Sequence, residues 1–273
     1  MRALIYVTAW ERVSLWRRML GAFVRVGILI GFLTALFALL GPPFGILLTK
    51  TMEARRVPAV KVAPLELADY SVSNSSGTTL SYFGYEFDVP WNTNFKQKAV
   101  GRNLVEVQFE SGQNVVFIVP ENQSGLLTEI VEDHSLNMSN LRPVFGDLMN
   151  RSAYEQYRVL LNTTPASIHV FGPRAEAARG VTLLTIKAIA FGPGLESGAF
   201  SFDLPGKRGF QIGDPQKSKR VDLEVFDTAG RHFEILCGST DAKILFSQPE
   251  LNRILTSLHA ASVPPTKLVA LQH

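Results

Sequence analysis

Four side chains on two neighbouring segments come nearest to a reactive constellation in this chain: Asp222, Glu224, His232 and Glu234. Three carboxylates and an imidazole can share a divalent cation or divide acid and base work between them. Whether they meet depends on how their segments pair. Residues Lys219–Cys237 read as a β-hairpin with Asp227-Thr228-Ala229-Gly230 at its tip. A three-residue loop with Gly230 left-handed is a type I turn plus bulge. It opposes Asp227 to Arg231, Val225 to Phe233, Leu223 to Ile235 and Val221 to Cys237. The last three pairs then form one apolar face. A two-residue loop opposes Val225 to His232 and Leu223 to Glu234, so hydrophobic matching selects the bulged turn.

In that register the acidic quartet occupies the other face, with Glu224 directly across from Glu234. Like charges so placed repel unless a cation or basic side chain lies between them. One reading is a metal or acid/base site. The other, which the flanking Lys219, Arg220 and Arg231 favour, is a solvated face balanced by its own bases.

The remaining candidates have simpler readings. Cys237 has His232 and Asp241 close in sequence, but the hairpin register turns its thiol to the apolar face, where cysteine acts as a small hydrophobe. Glu129, Glu132, Asp133 and His134 are oxygen-rich but lack EF-hand spacing, and read as a solvated loop or helix face. His169 lies between Ile168 and Val170 and reads as a structural residue of a strand. No H-E-x-x-H, P-loop, G-x-S-x-G or dinucleotide fingerprint occurs, so no catalytic residue and no cofactor is assigned. The single cysteine excludes an internal disulfide.

The elements that would hold these residues lie behind a membrane segment. Val26–Leu48 runs for 23 positions without a formal charge, enough to cross a bilayer core that needs about 20 apolar residues. Gly41-Pro42-Pro43 should kink or end a helix there, because proline lacks the amide donor and clashes with the preceding turn. The expected transmembrane helix therefore begins near Met19 and spans 19–48. Arg2, Arg12, Arg17, Arg18 and Arg25, against one Glu11, slightly outweigh Lys50, Arg55, Arg56 and Lys61, against Glu53, on the far side, so the expected N-terminus is cytoplasmic. The run exceeds a cleaved signal peptide's usual core of about 7–15 residues, which points to an uncleaved signal anchor. Residues 1–49 carry a net charge of +4 and the remainder −1. Without a basic cluster beyond the anchor, nucleic acid is not an expected partner.

The expected organisation is an amphipathic cytoplasmic segment (1–18), the transmembrane helix (19–48), a linker (49–79), one globular domain (80–261) and a flexible tail (262–273). Tyr85, Phe87 and Val89 alternate with Glu86 and Asp88 in a strand ended by Pro90. Val105, Val107 and Phe109 form another, and a Ser111-Gly112 turn leads into Val115–Val119. A helical pattern over 140–162 places Tyr157, Leu160 and Leu161 on one face. Further strands are predicted near Ser167–Phe171, Val181–Phe191 and Ala199–Leu204. Ser247-Gln248-Pro249-Glu250 supplies an N-cap, an early proline and a capping-box glutamate for a closing helix carrying Leu251, Ile254, Leu255 and Leu258. The order implies an α+β fold, an antiparallel sheet packed by a middle helix and a C-terminal helix.

Tyr85-Glu86-Phe87-Asp88-Val89-Pro90-Trp91 resembles the aromatic first strand of the Mog1/PsbP-like domains, and the late hairpin and leucine-rich helix Leu251–Leu258 are similar in placement. The resemblance spans about residues 81–260 and omits Pro120–Pro143. It implies a non-enzymatic accessory or binding module attached to a membrane or larger complex, and transfers no site residue. The expected function is thus a single-pass membrane protein with an extracytoplasmic α+β domain that meets a protein partner at the bilayer. The alternative is a metal-dependent or hydrolytic enzyme using Asp222, Glu224, His232 and Glu234. A third reading gives the membrane helix an assembly role through Gly21, Gly27 and Gly31, of which Gly27-x-x-x-Gly31 fits a small-residue contact motif.

Overall fold

The computed structural model describes residues 44–56, 60–65, 67, 77–120, 123, 127, 144–170, 172–195, 197–239 and 246–261. Residues 1–43, which hold most of the expected membrane span, lie outside this set, as do Glu129, Glu132, Asp133, His134 and the tail from 262. Among the described residues no helix is long and apolar enough to cross a membrane. The fold is mixed α+β with a large, mainly antiparallel sheet. Where the sequence reads as one globular domain, the chain divides into two compact units, residues 63–121 with 200–273 and residues 1–62 with 122–199.

The first unit holds the strands. β1 (Ala63–Pro64), β2 (Thr78–Tyr82), β3 (Tyr85–Val89), β4 (Phe95–Ala99), β5 (Leu104–Phe109) and β6 (Gln113–Ile118) lie between the two chain segments of the second unit. β7 (Ala199–Leu204), β8 (Lys207–Ile212), β9 (Arg220–Asp227), β10 (His232–Ser239) and β11 (His259–Ala260) follow it. Eight strands form one sheet in the order β1-β7-β8-β9-β10-β6-β5-β4, and β11-β3-β2 form a small second sheet. β1 runs parallel to β7, while the pairs from β8 through β4 are antiparallel.

The alternation read in β3 is what places it. Tyr85, Phe87 and Val89 are buried while Glu86 and Asp88 are partly exposed. Its inward residues join Leu80, Val107, Phe117, Leu223, Val225, Phe233 and Ile235 in one core. Phe87 stacks on Phe117 with ring centroids 5.6 Å apart, and Tyr85 meets Phe233 at 4.4 Å. The closing helix α4 (Gln248–Ser257) seals this core with Leu251, Ile254 and Leu255. It begins as the sequence indicates, with Ser247 and Glu250 forming a reciprocal capping box. Glu250 also accepts a 2.9 Å hydrogen bond from Trp91 Nε1, tying the cap to the strand that ends at Pro90.

The second unit is helical. α1 (Phe44–Arg56), α2 (Ala153–Asn162) and α3 (Arg174–Leu195) pack with α1 and α2 each against α3. Three expectations are corrected here. Thr49–Arg56 continue α1 rather than opening a linker, and Phe44–Leu48, the last residues expected in the membrane span, begin the same helix with Ile46 buried. Of the strand expected at Ser167–Phe171, residues Ser167–Val170 are not a strand: Pro165–Ser167 is a 3-10 turn and His169 is exposed beside buried Ile168. Val181–Phe191 is part of α3 rather than a strand. The reason is burial on all sides. Val181 through Lys187 are all buried, so the helix lacks the one-sided apolar stripe that marks a surface helix. Its β-branched residues then resemble a central strand, and buried Thr182 and Thr185 satisfy their hydroxyls on the carbonyls four residues back. Gly180 admits Ile168 at close quarters, since a Cβ there would stand 2.9 Å from Ile168 Cγ1.

α2 is shorter than the 140–162 pattern, starting at the Ser152 N-cap after a 3-10 turn at Gly146–Asn150. Tyr157, Leu160 and Leu161 are buried on its inner face. That middle helix packs on α3 within the helical unit.

Candidate functional site

The β9–β10 hairpin adopts the bulged register that its apolar residues demand. Phe233 pairs with Val225, Ile235 with Leu223 and Cys237 with Val221. Gly230 sits at φ +79° and donates to Asp227 O at 2.9 Å, while Asp227 N donates to Arg231 O at 3.0 Å. All six apolar partners lie in the core. Cys237 is wholly buried, and burial pushes its thiol far above the usual range, the opposite of an activated nucleophile.

Asp222, Glu224, His232 and Glu234 share the other face as expected, but the expectation of a solvated face is corrected. Glu224 is 3% exposed and His232 5%. His232 Nε2 and Glu224 Oε2 are 2.7 Å apart. The imidazole lies flat on Phe226, directly across the ladder, with centroids 4.6 Å apart and planes 10° from parallel. Phe210, from β8, meets the edge of Phe226 at 6.3 Å. An aromatic wall thus replaces water around the pair, and a buried carboxylate of this kind needs such a partner.

Two more contacts organise the face. Arg220 grips Asp222 through Nε at 2.6 Å and Nη2 at 3.0 Å, a two-point contact. Burial works against the guanidinium charge, but Asp222, Glu234 and Glu224 hold it protonated. Arg220 therefore balances the face, while Arg231 turns to the hairpin tip. Glu234 stands directly opposite Glu224. Burial raises the Glu234 carboxyl well above its ordinary range, and Glu224 and Asp222 add to the effect.

At the tip, Asp227 accepts from Tyr85 Oη at 3.0 Å and Arg231 Nε at 2.7 Å. The Arg231 guanidinium lies 5.0 Å from the Tyr85 ring centroid. Burial disfavours the Asp227 charge, but the hydrogen bonds from Arg231 and Tyr85 outweigh it and hold the carboxyl below its usual range.

The structure thus brings the four sequence candidates onto one face but divides them into pairs. Asp222 belongs to Arg220, Glu224 to His232, and Glu234 faces Glu224 without completing a ligand shell. Among the described residues no three or more His, Cys, Asp or Glu are grouped to hold a metal ion. The hydroxyl or thiol that a hydrolytic dyad needs is not supplied by Cys237, which points to the opposite face.

Two lysines escaped the sequence reading. Lys187, 0% exposed, donates from Nζ to the carbonyls of Leu161, Thr163 (3.0 Å) and Val60 (3.2 Å). Burial pulls its ammonium down to about 8. Lys207 donates to Leu258 O and Thr256 O (3.4 Å), and burial brings it also to about 8. Each closes the carbonyl end of a helix, α2 or α4, where a cation is favoured. For Lys187 the available signal was a single charge inside the apolar run Val181–Phe191.

No protein-family model, curated protein or solved structure matches this chain.

Proposed function

We propose that the protein is a single-pass, membrane-anchored accessory or binding module. Its N-terminus lies in the cytoplasm and its folded units on the far side of the bilayer. The observation that carries this reading is the uncharged run Val26–Leu48, unlike any later part of the chain. The Mog1/PsbP-like resemblance belongs to the same proposal. The β9–β10 face supports it from the chemical side, because Asp222 is held by Arg220 and Glu224 by His232 rather than converging on an open position.

A binding role also draws support from β4. All five of its residues are exposed, and it is the last strand of the large sheet. An edge strand presents backbone donors and acceptors to an incoming segment, while Lys96 and Lys98 deter unspecific strand addition.

The test is fractionation with topology mapping. The full chain should resist carbonate extraction from membranes, and external protease should digest its folded units in spheroplasts. Recovery in the carbonate supernatant would overturn the anchor, and protection from external protease would reverse the topology. Detergent solubilisation from the native membrane should bring a protein partner with it.

A further inference from the structure

α1 follows directly on Gly41-Pro42-Pro43, and its first residues are the last of the uncharged run. One side of it faces inward. Ile46 is buried, Glu53 is 4% exposed, and Lys50 donates to Ile168 O at 2.9 Å. At about 100° per residue, Leu47, Leu48, Thr51, Met52 and Arg55 fall on the opposite side. Leu47 is 44% exposed, Leu48 52% and Met52 50%, so among the described residues three of the large apolar side chains most open to solvent stand together here.

The polar groups of this outward face are arranged for a medium poor in water. Thr51, its one hydroxyl, donates to Leu47 O at 2.7 Å, so it offers no unsatisfied donor. Glu53 is the only acid in α1, and it points the other way. Arg55 is exposed at the far end, about 10 Å along the axis from Leu48. An apolar stripe ending in a cation, with no acid, matches the boundary between acyl chains and anionic headgroups, where arginine extends its charge outward.

We infer that the outward face of α1, Leu47, Leu48 and Met52 with Arg55 beyond them, lies in the headgroup–acyl boundary of an anionic bilayer. The inference rests on the anchor proposed above. It adds a second membrane contact, made by the folded chain itself, which holds the helical unit against the surface instead of leaving it on a free tether. Continuity with the uncharged run selects lipid over a protein as the occupant: a span ending at the Gly41-Pro42-Pro43 break, just before α1, leaves Leu47, Leu48 and Met52 at the depth of the interface.

The test uses the full-length protein in nanodiscs of equal parts phosphatidylcholine and phosphatidylglycerol. Cys237 is wholly buried, so an introduced cysteine is the reactive thiol. A fluorophore is attached in turn to Ala35→Cys, Leu48→Cys, Met52→Cys and, as an exposed reference, Lys96→Cys. Lipids carrying nitroxide near the headgroup should remove most of the emission at positions 48 and 52 and little at 96. Lipids with nitroxide deep in the chain should quench position 35. Quenching at 35 with 48 and 52 behaving like 96 overturns the inference and leaves the anchor standing. No quenching at 35 removes the anchor and the inference together. Shielding of 48 and 52 from both lipid nitroxide and aqueous iodide assigns the face to a protein and also overturns it.

Discussion

Replacing Glu234 by glutamine should stabilise the protein at neutral pH. Glu234 and Glu224 are directly opposed on adjacent antiparallel strands, a placement that brings Cβ atoms to about 5 Å. At an effective dielectric of about 20, two full charges there repel by about 3 kcal/mol. Arg220 and His232 offset much of this, and Glu234 is only half-buried, so about 1 kcal/mol is the expected gain. That corresponds to a rise in Tm of roughly 2–4 °C for a chain of this size. The pH dependence separates this cause from others. The folded-state carboxyl titrates above its unfolded value of about 4.3, so between the two the folded state holds the extra proton. Stability from this group is therefore complete below about 4.3 and lost as pH rises through the folded value. Thermal melts of wild type and E234Q, followed by circular dichroism from pH 4 to 8, should converge in acid and separate toward neutrality. Glu224→Gln should do the reverse, losing about 3 kcal/mol by weakening the buried contact to His232. If E234Q lowers Tm at neutral pH by an amount that persists in acid, the carboxylate makes a favourable contact and the repulsion account is wrong.

Lys187→Met leaves three backbone carbonyls without their donor and should cost about 3 kcal/mol, with hydrogen exchange rising first in the helical unit. Because burial lowers the Lys187 ammonium to about 8, the unfolded chain holds the extra proton from there to about 10.4, and stability should rise with pH across that window. In K187M the slope should shrink to the share due to Lys207 less the opposing share of Cys237, whose thiol burial keeps protonated in the folded state, and an unchanged slope would show that Lys187 does not titrate there. Gly230→Ala places a Cβ at φ +79° and should cost about 1 kcal/mol, with Gly230→Asn milder; melts without any loss would mean the loop has another geometry. Cys237 should resist maleimide in the native protein and react in denaturant, since it is wholly buried on the core face; rapid native labelling would refute its placement.

The β-unit was legible where local rules and burial agree. β3, β5 and the β9–β10 hairpin alternate apolar and polar residues over much of their length, and only one turn length keeps Val221, Leu223 and Val225 on the same side as Phe233, Ile235 and Cys237. The Ser247–Glu250 box and the leucines of α4 likewise need only their own neighbours to declare a helix. The helical unit resisted the same reading, because α3 is buried on all sides over Val181–Lys187 and that apolar, β-branched run satisfies the pattern of a central strand.

By itself the sequence determined the hairpin register, the inward turn of Cys237, the opposition of Glu224 to Glu234 and the capped closing helix. All four follow from periodicity and turn stereochemistry within short reach. Only the tertiary structure decided that Glu224 and His232 are withdrawn from water under Phe226, that Lys187 closes the end of α2, and that α1 turns Glu53 inward while leaving Leu48 and Met52 outside. Those outcomes depend on which surfaces meet across long stretches of chain, and burial, unlike periodicity, is not written in the spacing of neighbouring residues.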